Sequence, residues 1–212
     1  MKKLSVFVIS LFTFGCVSVE QIEKEFAEIR QDNELRQSSM TLESVNDCIS
    51  VSGGGDEMTE TYRFSTQDCY AAIDPYYKSV KGDYFIRANK SKESGTTLYQ
   101  VYAVLFSPGW SYPYSATYLK PLKNAEQELV RVDTNRIHTD VECSYGLCIH
   151  EEHYTFPLNS SYLKSLSDNY KNIISNDSQQ KMRIFRKAQG DVDFVFNINE
   201  LVGIYRKVEA FQ

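Results

Sequence analysis

The chain has 212 residues, 42% of them apolar and 24% charged, with a formal net charge of −5. That length and mixture fit one globular domain, or at most two small ones, and no internal repeat or low-complexity tract interrupts it. Its 23 basic residues are scattered, never more than two together and without a stripe, which argues against a surface that tracks nucleic-acid phosphates.

The chain opens on Met1-Lys2-Lys3, followed by "LSVFVISLFTF", in which only Ser5, Ser10 and Thr13 are polar. A membrane-crossing helix needs about 20 apolar residues, so this run is too short to span. It reads as a secretory signal over residues 1–15, removed on maturation. Gly15-Cys16 comes next. This beginning resembles bacterial lipoprotein precursors, in which a small residue precedes a cysteine that receives lipid and becomes the new N-terminus. Thr13 and Phe14 depart from that family's pattern. The resemblance implies a lipidated Cys16. Because Val17 rather than aspartate follows it, the resemblance also implies an outer-membrane protein facing the periplasm. The alternative is a soluble periplasmic or secreted protein.

Residues 16–40 follow as an anchored stalk or linker. Ile22, Phe26 and Ile29 recur at helical spacing between charges, so the stalk is expected to be an amphipathic helix. Residues 41–212 are the expected globular part, and its 15 Tyr and 12 Phe in the whole chain lean toward strands. "SVNDCISVSGGGDE" reads as a turn or flexible loop that lacks the lysine of a phosphate-binding loop. "TYRFST" alternates as a short strand, and "DCYAAIDPYYKSV" begins as a helical turn. "DYFIRANK" and "TTLYQVYAVLFS" pair across the turn-rich "SKESG", and the second, apolar on both faces, is expected to be covered on both.

"ELVRVDTNRIHTDVEC" and "LCIHEEHYTFPL" form the opening hairpin of the second half. Asn159 caps one helix over "SSYLKSLSDNYKNII", and "KMRIFRK" and "DVDFVF" make a last hairpin through Gln189-Gly190. Asn197 to Glu200 is a capping box that opens a helix with Leu201, Ile204, Tyr205 and Val208 as its buried stripe. The fold class is α+β: an antiparallel sheet or sandwich with two or three packed helices, stapled by disulfides.

With Tyr145-Gly146 as the turn, Cys143 opposes Cys148, Val141 opposes His150 and His138 opposes His153. A non-hydrogen-bonded pair brings Cα atoms to about 4.5 Å, within disulfide reach. A four-residue loop would keep the two cysteines neighbours. Cys143–Cys148 leaves Cys48 to pair with Cys69, as an even cysteine set does in an oxidising compartment. The spacing is wrong for zinc knuckles and for a redox C-x-x-C.

The same register places His138, His153, Asp140 and Glu151 on one face. They are candidate copper or zinc ligands, although a solvated surface is the simpler reading and no metal is expected. The other face carries Ile137, Val141, Cys143, Cys148, His150, Glu152, Tyr154 and Phe156 and should look inward. Glu152 would then be a buried carboxylate that needs His150 or an arginine as partner. Glu152 with His150 is the catalytic candidate; an internal polar pair is its structural alternative. In "SPGWSYPYSATY", within 108–118, Trp110, Tyr112 and Tyr114 alternate and could stack on sugars or grip a proline-rich peptide, or else plug the core.

No G-x-S-x-G or H-E-x-x-H motif is present. The pattern C-x-x-x-x-C-x-x-x-E-x-Y-x-F-x-L, followed by a helix, a charged hairpin and a capped helix, resembles bacterial envelope proteins of no assigned activity. It covers Tyr99 to Phe211 and implies a fold without a chemistry. The expectation is a lipid-anchored envelope protein without a cofactor, an interaction or structural module meeting an envelope protein or glycan. The alternative is a periplasmic hydrolase or metal-handling protein using Glu152 with His138, His150 and His153.

Overall fold

The computed structural model describes residues 39–54, 60–69, 84–121, 127–144, 147–174 and 179–211. The signal segment, Cys16, the stalk, most of "DCYAAIDPYYKSV" and the Tyr145-Gly146 turn lie outside them.

The described chain is α+β, with two wholly antiparallel sheets and, among the described residues, four helices. Helix α1 (Leu42–Cys48) leads into strands β1 (Ser50–Ser52), β2 (Thr61–Ser65), β3 (Tyr84–Ser91), β4 (Thr97–Ser107), β5 (Pro113–Pro121) and β6 (Gln127–Asp133). Strands β7 (Asn135–Ser144) and β8 (Leu147–Leu158) are followed by α2 (Ser160–Asp168) and α3 (Tyr170–Ile174). Strands β9 (Gln179–Arg186) and β10 (Val192–Asn197) run into α4 (Ile198–Ala210). The six-stranded sheet has the order β1-β2-β3-β4-β8-β7, and the four-stranded sheet β10-β9-β5-β6.

Several expectations change. The segment expected to loop after Leu42 is a helix, because Thr41 and Ser44 form a reciprocal cap. Thr41 Oγ1 accepts from the Ser44 N–H at 3.1 Å and Ser44 Oγ from the Thr41 N–H at 3.0 Å. The run expected as one arm of the central hairpin breaks at Thr134. Its first half, β6, pairs with β5 in the small sheet, and its second half, β7, pairs with β8 in the large one. A strand that switches sheets in this way makes a corner of a sandwich. Strand β4 is buried on one face only: Tyr99, Val101, Ala103 and Leu105 are buried, whereas Leu98 on the other face is 49% exposed. The single helix expected after Asn159 is two. Asn169 turns the backbone out of helical geometry, and both its N–H and its side-chain amide donate to the Ser165 carbonyl.

The inner faces of both sheets and helix α4 share one core. From the small sheet it takes Ala116, Tyr118, Met182, Ile184, Phe194 and Phe196, and from the large sheet Ile86, Val101, Tyr154 and Phe156. Helix α4 buries Leu201, Ile204 and Val208 as its spacing predicts. Asn197 caps it by accepting from the Asn199 N–H at 2.8 Å, while the Glu200 carboxylate, buried, accepts from the Thr66 hydroxyl at 2.5 Å. Lys90 closes the other end, donating to the carbonyls of Val208 and Phe211. Both disulfides are present, Cys48–Cys69 and Cys143–Cys148.

Candidate functional site

Strand β8 turns from surface to core at Glu152. The register holds as read from the turn as far as His138, with Cys143 opposite Cys148, Val141 opposite His150 and His138 opposite His153, and then shifts by one at Ile137, so that Arg136 opposes Tyr154. Burial differs from expectation, however. Ile137, Val141 and Cys143 are exposed, and His150 is half-buried. The reason is position, since β7 is the edge of its sheet. Beyond Glu152 the inward residues of β8, Tyr154, Phe156 and Leu158, are buried.

Glu152 itself is fully buried. An isolated carboxylate there would be untenable, so its oxygens must be satisfied by the protein. They are satisfied by neither His150 nor an arginine. The Ser111 N–H donates to Oε2 at 2.7 Å, and the Ser111 hydroxyl makes a short bond to the same oxygen. The Tyr154 hydroxyl donates to Oε1 at 3.0 Å, and the Tyr112 N–H reaches it at 3.4 Å. Burial, and next the bond to Glu152, hold the Tyr154 phenol well above the usual tyrosine range, so it stays a donor. Four donors hold the carboxylate directly, and the Arg136 guanidinium stands behind one of them, against the Tyr154 hydroxyl.

All of those donors except the Tyr154 hydroxyl belong to the connection between β4 and β5, residues 108–112. The two regions singled out separately, the aromatic segment and the β8 carboxylate, are therefore one place. The connection is fastened again from the β9–β10 turn: the Lys187 N–H donates to the Tyr112 carbonyl at 3.3 Å and the Ala188 N–H to the Ser111 carbonyl at 3.1 Å. Arg186 braces that turn by donating to the carbonyls of Gln189 and Gly190. Held on both sides, Tyr112 takes a φ of 50°, a left-handed conformation unfavourable for a residue with a side chain by about 1 kcal/mol or more. Such strain persists only where surrounding bonds over-determine it.

The three aromatic residues do not make one row. Trp110 lies edge-on to His150, centroids 4.4 Å apart. Tyr112 is 46% exposed. Tyr114 is the extra residue of a bulge between Pro113 and Ser115, and its ring, 43% exposed, faces the small sheet's outer surface beside Phe185. A bulge re-aims a side chain, and here it sends Tyr114 toward Arg131, whose guanidinium carbon is 5.9 Å from the ring centroid. Sequence reasoning misses Ser111, Tyr154, Arg131 and Phe185. Nothing in the sequence flags Ser111, because its place over Glu152 follows from the β4–β8 register, with Ser107 opposite His150.

On the outer face of the large sheet the expected histidine pair does form, with ring centroids 5.2 Å apart. His153 uses both nitrogens, Nε2 against Glu151 at 2.6 Å and Nδ1 against the Tyr102 hydroxyl at 2.7 Å. Asp140 instead accepts from the Val141 N–H at 2.8 Å. Among the described residues no group of three or more His, Cys, Asp or Glu is placed to hold a metal. His150 Nδ1 is buried without a hydrogen bond, and the Glu152 oxygens bond Ser111, Tyr112 and Tyr154 instead.

Comparison of the chain with family models, curated proteins and solved structures finds no match.

Proposed function

We propose that this chain is an exported, non-enzymatic binding module of the bacterial envelope, held to the outer membrane through lipid on Cys16. Its contact surface is the segment around Trp110, Tyr112 and Tyr114. The observation that carries this reading is the pinning of that segment by Glu152. A carboxylate whose two oxygens are bonded to Ser111, Tyr112 and Tyr154 is committed to holding a loop, not to moving a proton. Preorganised exposed aromatics are the usual means by which a rigid scaffold presents a recognition surface. Export is supported by the cysteines: all four besides Cys16 are paired, as an oxidising compartment requires.

The test is photo-crosslinking in intact cells, with the crosslinking residue introduced at Tyr112 and, as a control, at the exposed Lys164 of α2. A defined adduct from position 112, absent from 164 and reduced by Glu152→Gln, is the expected result. No adduct, or the same adduct from both positions, overturns the reading. Mass measurement of the mature protein, and of Cys16→Ser, checks the lipid separately.

A further inference from the structure

The outer face of the small sheet carries a guanidinium in an unusual setting. Arg131 of β6 donates through Nη2 to the Ser115 hydroxyl at 3.0 Å. Its guanidinium carbon lies 5.4 Å from the Phe185 ring centroid and 5.9 Å from that of Tyr114. Ser115 is 2% exposed, so the anchor is fixed, whereas Arg131 is exposed. No carboxylate pairs with Arg131 among the described residues. Asp133, two residues along β6, stands opposite Ser115 and makes no ion pair with it. The neighbouring cation, Arg183, is by contrast neutralised by a two-point bond to Asp193, at 2.5 and 2.8 Å.

An arginine presents five N–H donors in a planar fork that matches a carboxylate. Here one donor is spent on Ser115 and two aromatic rings lie beside the guanidinium. The rest of the fork is left unpaired beside the exposed face of Tyr114. A flat aromatic surface of one ring's width next to a preoriented guanidinium suits a pyranose that stacks its C–H face on the tyrosine and offers a carboxylate to the arginine. The strand that carries Arg131, β6, is an edge of its sheet, so an extended acidic peptide is the competing occupant, and a matched oligoglutamate separates the two.

We infer that Arg131, Tyr114 and Phe185 form a subsite for a carboxylate-bearing saccharide. This rests on the reading of the aromatic segment as a binding surface and assigns its ligand class.

The experiment is calorimetric titration of the purified full-length mature chain with an oligogalacturonate, with its fully methyl-esterified form, and with an oligoglutamate of matched charge. The acid saccharide should bind, and the ester should bind about tenfold more weakly or worse, since esterification removes the charge and adds only a methyl group. Arg131→Gln and Tyr114→Ala should each weaken the acid about tenfold, while Arg183→Gln leaves it unchanged. Circular dichroism of each variant confirms that it folds. Equal affinity for acid and ester, an effect of Arg183→Gln matching that of Arg131→Gln, or oligoglutamate binding as tightly, each overturns the saccharide subsite. Absence of saccharide binding overturns it too. If crosslinking from position 112 still captures a partner, only the ligand class falls and the binding-module reading stands.

Discussion

Ser111 and Glu152 meet across 41 positions of sequence, with the Ser111 N–H 2.7 Å from the Glu152 carboxylate. This contact joins the β4–β5 connection to the large sheet and makes one buried charge responsible for the shape of an exposed loop. Glu152→Gln keeps the volume but offers one acceptor oxygen where two were used, and turns an amide N–H₂ toward existing donors. A charge-assisted bond contributes about 1.5–3 kcal/mol, so the variant should lose about 2–4 kcal/mol in urea unfolding. The fluorescence of Trp110, the single tryptophan of the chain, should report the loosened loop in the folded state. A loss below about 0.5 kcal/mol with unchanged fluorescence would show that the carboxylate does not pin the segment.

Gly203 of α4 packs tightly against Val45 of α1. A Cβ placed there would lie 2.6 Å from Cγ1 of Val45, which is itself fully buried. On propensity alone, replacing a mid-helix glycine with alanine gains about 1 kcal/mol. Overpacking a tight core contact loses about 1–3 kcal/mol, and here it should win. Gly203→Ala is therefore expected to lower the unfolding midpoint. Val45→Ala, which removes the clashing methyls, should partly rescue it in the double variant. A stabilised single variant would mean that the helices sit farther apart than described.

What the sequence discloses about this fold follows from how local each cause is. The β7–β8 register is legible because two cysteines five apart and a short turn leave few pairings. The caps at Asn159 and Asn197 are legible because a cap is a contact across two or three residues. The division of "ELVRVDTNRIHTDVEC" between two sheets is only half legible: the apolar positions change parity, from Val130 and Val132 to Ile137, Val141 and Cys143, but only the positions of β5 and β8 in space decide which half pairs where. Glu152 can be recognised as a buried acid from its apolar neighbours on β8. Its partners cannot, since Ser111 and Tyr112 arrive from a connection whose path no periodicity encodes. Arg131 is hidden for the same reason, as its surroundings come from β5 and β9.

The two disulfides should differ in energetic weight and in accessibility. Cys48–Cys69 closes a separation of 21 residues and Cys143–Cys148 one of only 5. Chain-entropy arguments give about 3 kcal/mol for the longer loop and about 2 kcal/mol for the shorter. Paired serine substitutions should reproduce that order in denaturant unfolding. Cys69 is buried and Cys143 exposed, so limiting dithiol reductant followed by alkylation and mass analysis should label 143 and 148 first. Earlier labelling of 48 and 69 would contradict the burial.

Alkaline pH should unfold this protein through its buried phenols. Burial raises the ionisation of Tyr99, Tyr154 and Tyr162, with Glu209 adding to the effect at Tyr99 and Glu152 at Tyr154. The folded form then holds these protons more tightly than the unfolded chain, whose tyrosines ionise near pH 10. Their stabilisation is complete below that pH and is lost as pH climbs above it, because the unfolded state binds fewer protons there. Absorbance titration should show these three phenols silent until near-ultraviolet dichroism collapses in the same step. Tyr162 isolates the cause. Its hydroxyl is buried with no hydrogen bond, so Tyr162→Phe removes a desolvated polar group without breaking a contact. The variant should be as stable as the parent or more so by about 1 kcal/mol at neutral pH, and its stability should fall less steeply in alkali. Destabilisation by more than about 1 kcal/mol would mean that the hydroxyl has a partner and that its burial is not what opposes ionisation.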